Sequence, residues 1–136
     1  LFIRLANMPQ LTTVTSSDGT GDTPHVFTPV DIIGGVATLE SNTGVPIGNP
    51  RLTFSMNRAA SGKRKFVMKL SMPVVQDNVV NGVSRPVVVR TAYAECTLTF
   101  DASSTTSERN HIRTLFAFLQ DHPITKDAVE NVSAFY

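Results

Sequence analysis

The 136 residues carry 12 Lys and Arg against 11 Asp and Glu, a net charge of +1, with hydrophobic content of 41% and charged content of 17%. That length suits one domain spanning residues 1–136 with a modest core, and the apolar-to-charged balance excludes a disordered chain. The single cysteine, Cys96, excludes an intramolecular disulfide framework, and a reduced compartment is the simpler expectation.

No apolar run approaches the roughly 20 residues of a spanning helix. The opening Leu1-Phe2-Ile3-Arg4-Leu5 is too short for a signal-peptide core. The first hundred residues read as strands and turns. Leu11-Thr12-Thr13-Val14-Thr15 is rich in β-branched residues and runs into the turn cluster 16–22. His25-Val26-Phe27 is a short strand closed by Pro29, and Gly34-Gly35 precedes a further strand from Val36 to Glu40. A loop with Gly44, Pro46, Gly48 and Pro50 follows.

In Leu52-Thr53-Phe54-Ser55-Met56-Asn57 apolar and polar residues alternate, and in the run from Lys65 to Met72 the apolar set is Phe66, Met68, Leu70 and Met72. Successive side chains of a strand point to opposite sides, so each strand has a core face and an open face. Ala59-Ala60-Ser61-Gly62 supplies the turn between them, with Gly62 free to take positive φ. The stretch from Gln76 to Pro86 reads as a long loop with Asn81-Gly82 as its tightest turn. From Thr91 to Phe100 the alternation returns, with Tyr93, Glu95, Thr97 and Thr99 on one side and Ala94, Cys96, Leu98 and Phe100 on the other. Cys96 therefore belongs with the core set, as a small hydrophobe.

After Asp101 the period changes. Thr105-Thr106-Ser107-Glu108 fits a capping box, and Ile112, Leu115, Phe116 and Leu119 recur at helical spacing. Pro123 ends that helix and suits the first turn of a second, in which Ile124, Ala128 and Val132 lie one turn apart. Strands followed by two helices make the fold class α+β, with the helices segregated to one side of an antiparallel sheet.

Enzyme chemistry finds little support. His25, His111 and His122 are scattered without metal-ligand spacing, and neither a glycine-rich phosphate loop nor a nucleophile motif is present. The reading is therefore no enzyme, no metal and no cofactor, with His111 and His122 as surface or capping residues. Charge distribution says more than net charge. Between Ser41 and Gln76 there is no Asp or Glu, yet Arg51, Arg58, Lys63, Arg64, Lys65 and Lys69 fall there. By alternation the open face carries Thr53, Ser55, Asn57, Lys65, Val67, Lys69, Tyr93, Glu95 and Thr97. On spacing alone this is either an ordinary solvated face or one that holds RNA. In the second case lysines neutralise phosphates, hydroxyls and a carboxylate reach base edges, and Tyr93 offers a ring to an unstacked base.

Several segments carry a resemblance. Thr43-Gly44-Val45-Pro46-Ile47-Gly48, the hairpin from Arg51 to Pro73, Asn81-Gly82-Val83 with Pro86, Arg90-Thr91-Ala92-Tyr93, the run from Ser104 to Arg109 and the terminal Phe135-Tyr136 resemble the levivirus coat proteins. These form the icosahedral shells of small single-stranded RNA bacteriophages. The similarity covers about residues 9 to 136. Leu1 to Asn7 have no counterpart, leaving residues 1–8 as either an upstream start or an extra N-terminal arm.

The resemblance implies an N-terminal β-hairpin, a five-stranded antiparallel sheet and two C-terminal helices. It implies an intertwined homodimer with sheets joined edge to edge, and dimers assembled into an icosahedral shell. The partners are then a second copy of the chain and single-stranded viral RNA stem-loops, with no membrane. The place is the virion, assembled in the bacterial host cytoplasm, with repression of replicase translation as a second role. Thr53, Ser55, Lys65, Lys69 and Tyr93 match the family's RNA-contacting positions in type, and Val36 matches a valine lining the pocket for an unpaired base. Glu95 stands where members carry Asn or Asp. Asn57 replaces an arginine, Val67 a threonine and Ala59-Ala60 a pair of serines. The loop from Gln76 to Pro86, which in the family lines the symmetry axes, lacks the cysteines through which some relatives join subunits. A β-sheet RNA-binding regulator that forms no shell is the alternative reading.

Overall fold

The computed structural model describes residues 10–17 and 24–136; the N-terminal segment with no family counterpart lies outside the described residues. The strands are β1 (Val14–Ser16), β2 (His25–Ile33), β3 (Val36–Ser41), β4 (Arg51–Arg58), β5 (Arg64–Val80) and β6 (Val83–Phe100), followed by helices α1 (Thr106–Gln120) and α2 (Pro123–Asn131). All pair antiparallel in a 6-stranded sheet of order β1-β2-β3-β4-β5-β6. Sequential neighbours on a sheet followed by helices is the α+β arrangement the periodicity predicts.

Two details differ from the sequence reading. The strand expected to close at Pro29 continues to Ile33, because the register shifts between Pro29 and Asp31. Val30 is the extra residue of a bulge between the Pro29–Leu39 and Asp31–Thr38 pairs, which carries the strand past its proline. β2 thus pairs with β1 on one side and β3 on the other, and the N-terminal hairpin and the five-stranded sheet share it, giving six strands rather than seven among the described residues.

The expected long loop from Gln76 to Pro86 is also absent. β5 and β6 run as one extended hairpin to its tip, where Asn81 (φ 51°) and Gly82 (φ 77°) form the turn between Val80 and Val83. Positive φ at both central residues is the signature of the tight turn that suits the twist of paired strands. The distal arm is exposed on both faces, with Val79, Val80 and Val83 all more than half exposed. Without a core face it shows no alternation, which is why it reads as a loop.

The buried core is small. Among the described residues Phe27, Leu39 and Leu52 form its buried hydrophobic cluster, with Leu11, Val14, Phe54, Met68 and Leu70 packed against them. Leu52 lies opposite Leu39 and Leu70, and Phe54 opposite Ala37 and Met68, so the core set runs along one sheet face as alternation requires. Cys96 sits half-buried opposite Met68 on that same face.

α1 is launched from β6 by a short polar link. Asp101 accepts from the Ser103 N–H (3.0 Å) and hydroxyl (2.8 Å), and these bonds hold its carboxyl below the usual carboxylate range. The capping box is present in both directions, Glu108 N–H donating to Thr105 Oγ1 (3.2 Å) and Thr105 N–H to Glu108 Oε2 (3.4 Å). α2 opens with Pro123 in its first turn, and His122 Nδ1 accepts from the Ile124 N–H at 3.2 Å, so His122 is a capping residue. Thr105→Ala is expected to lower stability by about 1 kcal/mol, checked as a drop in denaturant midpoint with an unchanged m-value.

The helices do not complete the subunit core. Ile112, Leu115, Phe116 and Leu119, the stripe read from periodicity, are 45%, 47%, 39% and 51% exposed. Between α1 and the core face of the sheet lies an open apolar groove of about 600 Å³, bounded by Met56, Phe66 and Leu98 below and Phe116 and Ala117 above. No helix among the described residues is long and apolar enough to cross a membrane.

Candidate nucleic-acid interface

Strand register decides which side chains stand together. Across the open face of β3 to β6 the pairings form rows: Val36, Ser55, Val67 and Thr97; Thr38, Thr53, Lys69 and Glu95; Glu40, Arg51, Ser71 and Tyr93. Asn57, Lys65 and Thr99 make a further row across β4 to β6. Directly opposed residues bring their Cβ atoms within about 5 Å, and rows two residues apart are separated by roughly 7 Å. All the residues expected to face RNA, namely Val36, Thr53, Ser55, Asn57, Lys65, Val67, Lys69, Tyr93 and Glu95, therefore stand on one face, with Phe54, Phe66, Met68 and Leu98 on the other.

The face is graded in depth. Thr53, Ser55 and Val67 are half-buried among their neighbours, whereas Lys65, Lys69 and Glu95 are exposed. The Tyr93 ring is 81% exposed, an aromatic surface with nothing stacked on it among the described residues. Thr53, Lys69, Tyr93 and Glu95, with Arg51 and Ser71, line a shallow depression of about 450 Å³. Ser55 stands one row along on the same face, between Val36 and Val67. Glu95 is turned along its own strand, accepting from Thr97 Oγ1 at 3.3 Å.

The geometry adds residues that the sequence reading leaves out of the face. Arg51 lies opposite Glu40 and Ser71, and its Nη2 and Nε donate to Glu40 Oε1 at 2.8 and 3.2 Å. The signal was available: Arg51 precedes Thr53 by two residues and Ser71 follows Lys69 by two, so alternation places both on the open side. Across β3 to β6, Arg51, Lys65 and Lys69 give this face three cations against Glu40 and Glu95, with Asp31 of β2 opposite Thr38, hydroxyls between them and one bare aromatic ring. Such a surface can hold phosphates electrostatically and present donors, acceptors and a stacking plane to unpaired bases.

A 3-10 turn, Pro46–Gly48, borders the face. It seats closely on β5, since a Cβ at Gly48 would lie 2.7 Å from Val75 Cγ2. Asn49 holds the turn, its Oδ1 accepting from the Thr43 N–H and hydroxyl, both at 3.1 Å.

Comparison with known proteins agrees with the architecture. The family model for the levivirus coat protein matches residues 9–136. The capsid protein of Pseudomonas phage PRR1 is 40% identical over 114 residues, 82% of this chain and 87% of the relative. Among solved structures, the capsid protein of bacteriophage GA is 32% identical with a TM-score of 0.80, over 93% of this chain and 98% of the other. The virus-like particle of Beihai levi-like virus 21 aligns at 25% identity and a TM-score of 0.83, over 94% and 99%. Agreement in sequence across nearly the whole chain, and in the path of sheet and helices, shows that it belongs to the levivirus coat protein family, as the capsid protein of an RNA phage.

Proposed function

We propose that the chain acts as one domain whose folding unit is a homodimer, that dimers close into an icosahedral shell, and that the open sheet face binds stem-loops of the single-stranded genome, repressing replicase translation. Its role is structural rather than catalytic. The observation that carries the RNA assignment is the register: Thr53, Lys69, Tyr93 and Glu95 come from three strands yet line one depression, with Lys65 on the same face two rows from Lys69.

The dimer rests on uncovered apolar surface. The chain exposes 10864 Å², where a compact monomer of its mass exposes about 7,000 Å². The excess, roughly 3,900 Å² per subunit, is more than the roughly 1,000–2,500 Å² per partner that obligate interfaces bury, so there is ample surface for one. A helix of a second copy, laid in the groove between α1 and the sheet, covers Phe116 together with Met56, Phe66 and Leu98. β6, the outermost strand at the opposite end of the sheet from β1, offers a long edge for pairing with its equivalent. A shell-less RNA-binding regulator accounts for the open face, but the capsid relatives favour the shell.

Two substitutions separate specific recognition from an electrostatic lining. Lys65→Ala removes a phosphate partner and should weaken binding of all RNAs alike, flattening the salt dependence by about one unit of slope. Thr53→Val removes a half-buried hydroxyl at the depression and should cost about 1–3 kcal/mol for the cognate stem-loop only. Gel-shift titrations of both variants against cognate and scrambled loops read this out. Equal losses on every RNA from both variants would remove the specific-repressor part of the proposal.

A further inference from the structure

The groove between α1 and the sheet has a charged end. Arg109 and Arg113 line it from the helix, with Met56 and Phe66 beneath. Arg58 and Arg64 pair across β4 and β5, one alternation step beyond Met56 and Phe66, so both stand on that same face of the sheet. The β4–β5 turn that carries Lys63 sits close to the link between β6 and α1, since a Cβ at Gly62 would lie 3.2 Å from Ala102 Cβ. Five cations, Arg58, Lys63, Arg64, Arg109 and Arg113, thus gather at this end against the carboxylates of Asp101 and Glu108. Arg113 is exposed, and its Nη2 donates to Asn110 Oδ1 at 3.0 Å. No carboxylate pairs with it among the described residues.

α2 has the opposite sign. Its one cation, Lys126, is paired with Asp121 at 3.2 Å. That leaves Asp127 and Glu130 exposed and without an ion-pair partner among the described residues. Successive residues advance about 100° around a helix, so Asp127 and Glu130 stand together along one flank of the stripe that Ile124 and Ala128 make. Ile124 is 55% exposed, so its own subunit leaves that stripe largely uncovered.

We propose that the segment lying in the groove is α2 of the second copy, with its stripe against Met56, Phe66 and Phe116 and its Asp127–Glu130 flank against Arg113 at the cationic end. Two-fold symmetry makes the contact twice, so each copy supplies the arginine at one site and the carboxylates at the other. α1 of the second copy does not fit the charge pattern, because it would bring Arg109 and Arg113 to further arginines. Apolar surface holds the copies together, and the ion pairs select which helix enters and in which direction. The inference deepens the homodimer reading and rests on it.

Charge reversal tests it through partner choice. One chain carries Arg113→Glu, a second carries Asp127→Lys with Glu130→Lys, and one of the two is isotopically labelled. Each alone should dimerise less firmly than the wild type, because both of its sites oppose like charges. In the mixed dimer both sites regain opposite charges. After joint refolding below the concentration at which particles form, native mass spectrometry should find mixed dimers at about nine in ten rather than about half, an excess that a few exposed ion pairs can supply. High salt should shrink that excess. Random assortment of two folded variants would overturn the pairing and leave the dimer standing. Where a reversed chain does not fold alone, recovery of folded dimers on mixing supports the proposal and no recovery overturns it. A chain with all three reversals that regains wild-type stability, while the mixture assorts at random, makes the ion pair internal to one subunit and also overturns it. If the wild-type chain is a folded monomer at micromolar concentration, the dimer reading falls and this one with it.

Discussion

Phe116→Asp is expected to leave no folded protein at micromolar concentration. Phe116 lines the groove between α1 and the sheet and is 39% exposed in the subunit, apolar ring surface that a second copy must bury. Burying such a side chain contributes about 1.5–3 kcal/mol, and an unpaired carboxylate in its place adds a desolvation penalty of several kcal/mol. A dimer applies both twice. Against a total stability of about 5–15 kcal/mol, the balance turns to the unfolded state. The subunit has little to fall back on, since its own core comprises Phe27, Leu39 and Leu52 and the residues around them. Folding and association are then one equilibrium, so the wild-type denaturation midpoint should rise with protein concentration. Sedimentation velocity with far-UV circular dichroism checks both statements. A folded, monomeric Phe116→Asp variant would show that the helices are ornaments on a self-sufficient sheet.

Shortening the β5–β6 arm should have an equally large effect on a different level. Val75 lies directly opposite Val88, so deleting residues 76–80 and 83–87 lets Asn81-Gly82 join that pair in the same tight turn. The deleted segment lies beyond the seat of Gly48 on Val75 and contributes nothing to the Phe27, Leu39 and Leu52 core. Dimers should therefore form with about the same stability as the wild type. Closed particles should not, because the exposed Val79, Val80 and Val83 at the tip are apolar surface that only contacts between dimers can cover. Gel filtration and negative-stain microscopy distinguish the outcomes, and particles of wild-type size from the shortened protein would remove the arm from the assembly account.

The parts of the fold legible in the sequence are those in which local chemistry and burial agree. In the hairpin of β4 and β5, alternation, the Gly62 turn (φ 87°) and the core pairing of Phe54 with Met68 point to the same structure. The Thr105 to Glu108 capping box is legible because both of its hydrogen bonds are local. Where neither face meets a core, the signal fails: the arm from Gln76 onward reads as a loop although Asn81-Gly82 between β-branched residues is a hairpin signature. The helical stripe of Ile112, Leu115, Phe116 and Leu119 is legible from its spacing, but periodicity carries no information about which chain covers it.

The same division holds for the candidate interface. Its residue types and shared face follow from period-two alternation, so Thr53, Lys65, Lys69 and Tyr93 were found from the sequence. Which of them line one hollow depends on inter-strand register, and that separates Ser55 from Thr53 and adds Arg51 and Ser71. The seat of the 3-10 turn on β5 is likewise a long-range contact that leaves no local pattern beyond Gly48.

Electron microscopy of the protein expressed alone, with the absorbance ratio of the purified material at 260 and 280 nm, tests the central claim most directly. The account predicts closed particles of regular size whose ratio reports packaged nucleic acid, and dimers as the product of their gentle dissociation. A soluble, folded monomer free of nucleic acid, with no particles at any concentration, would contradict it.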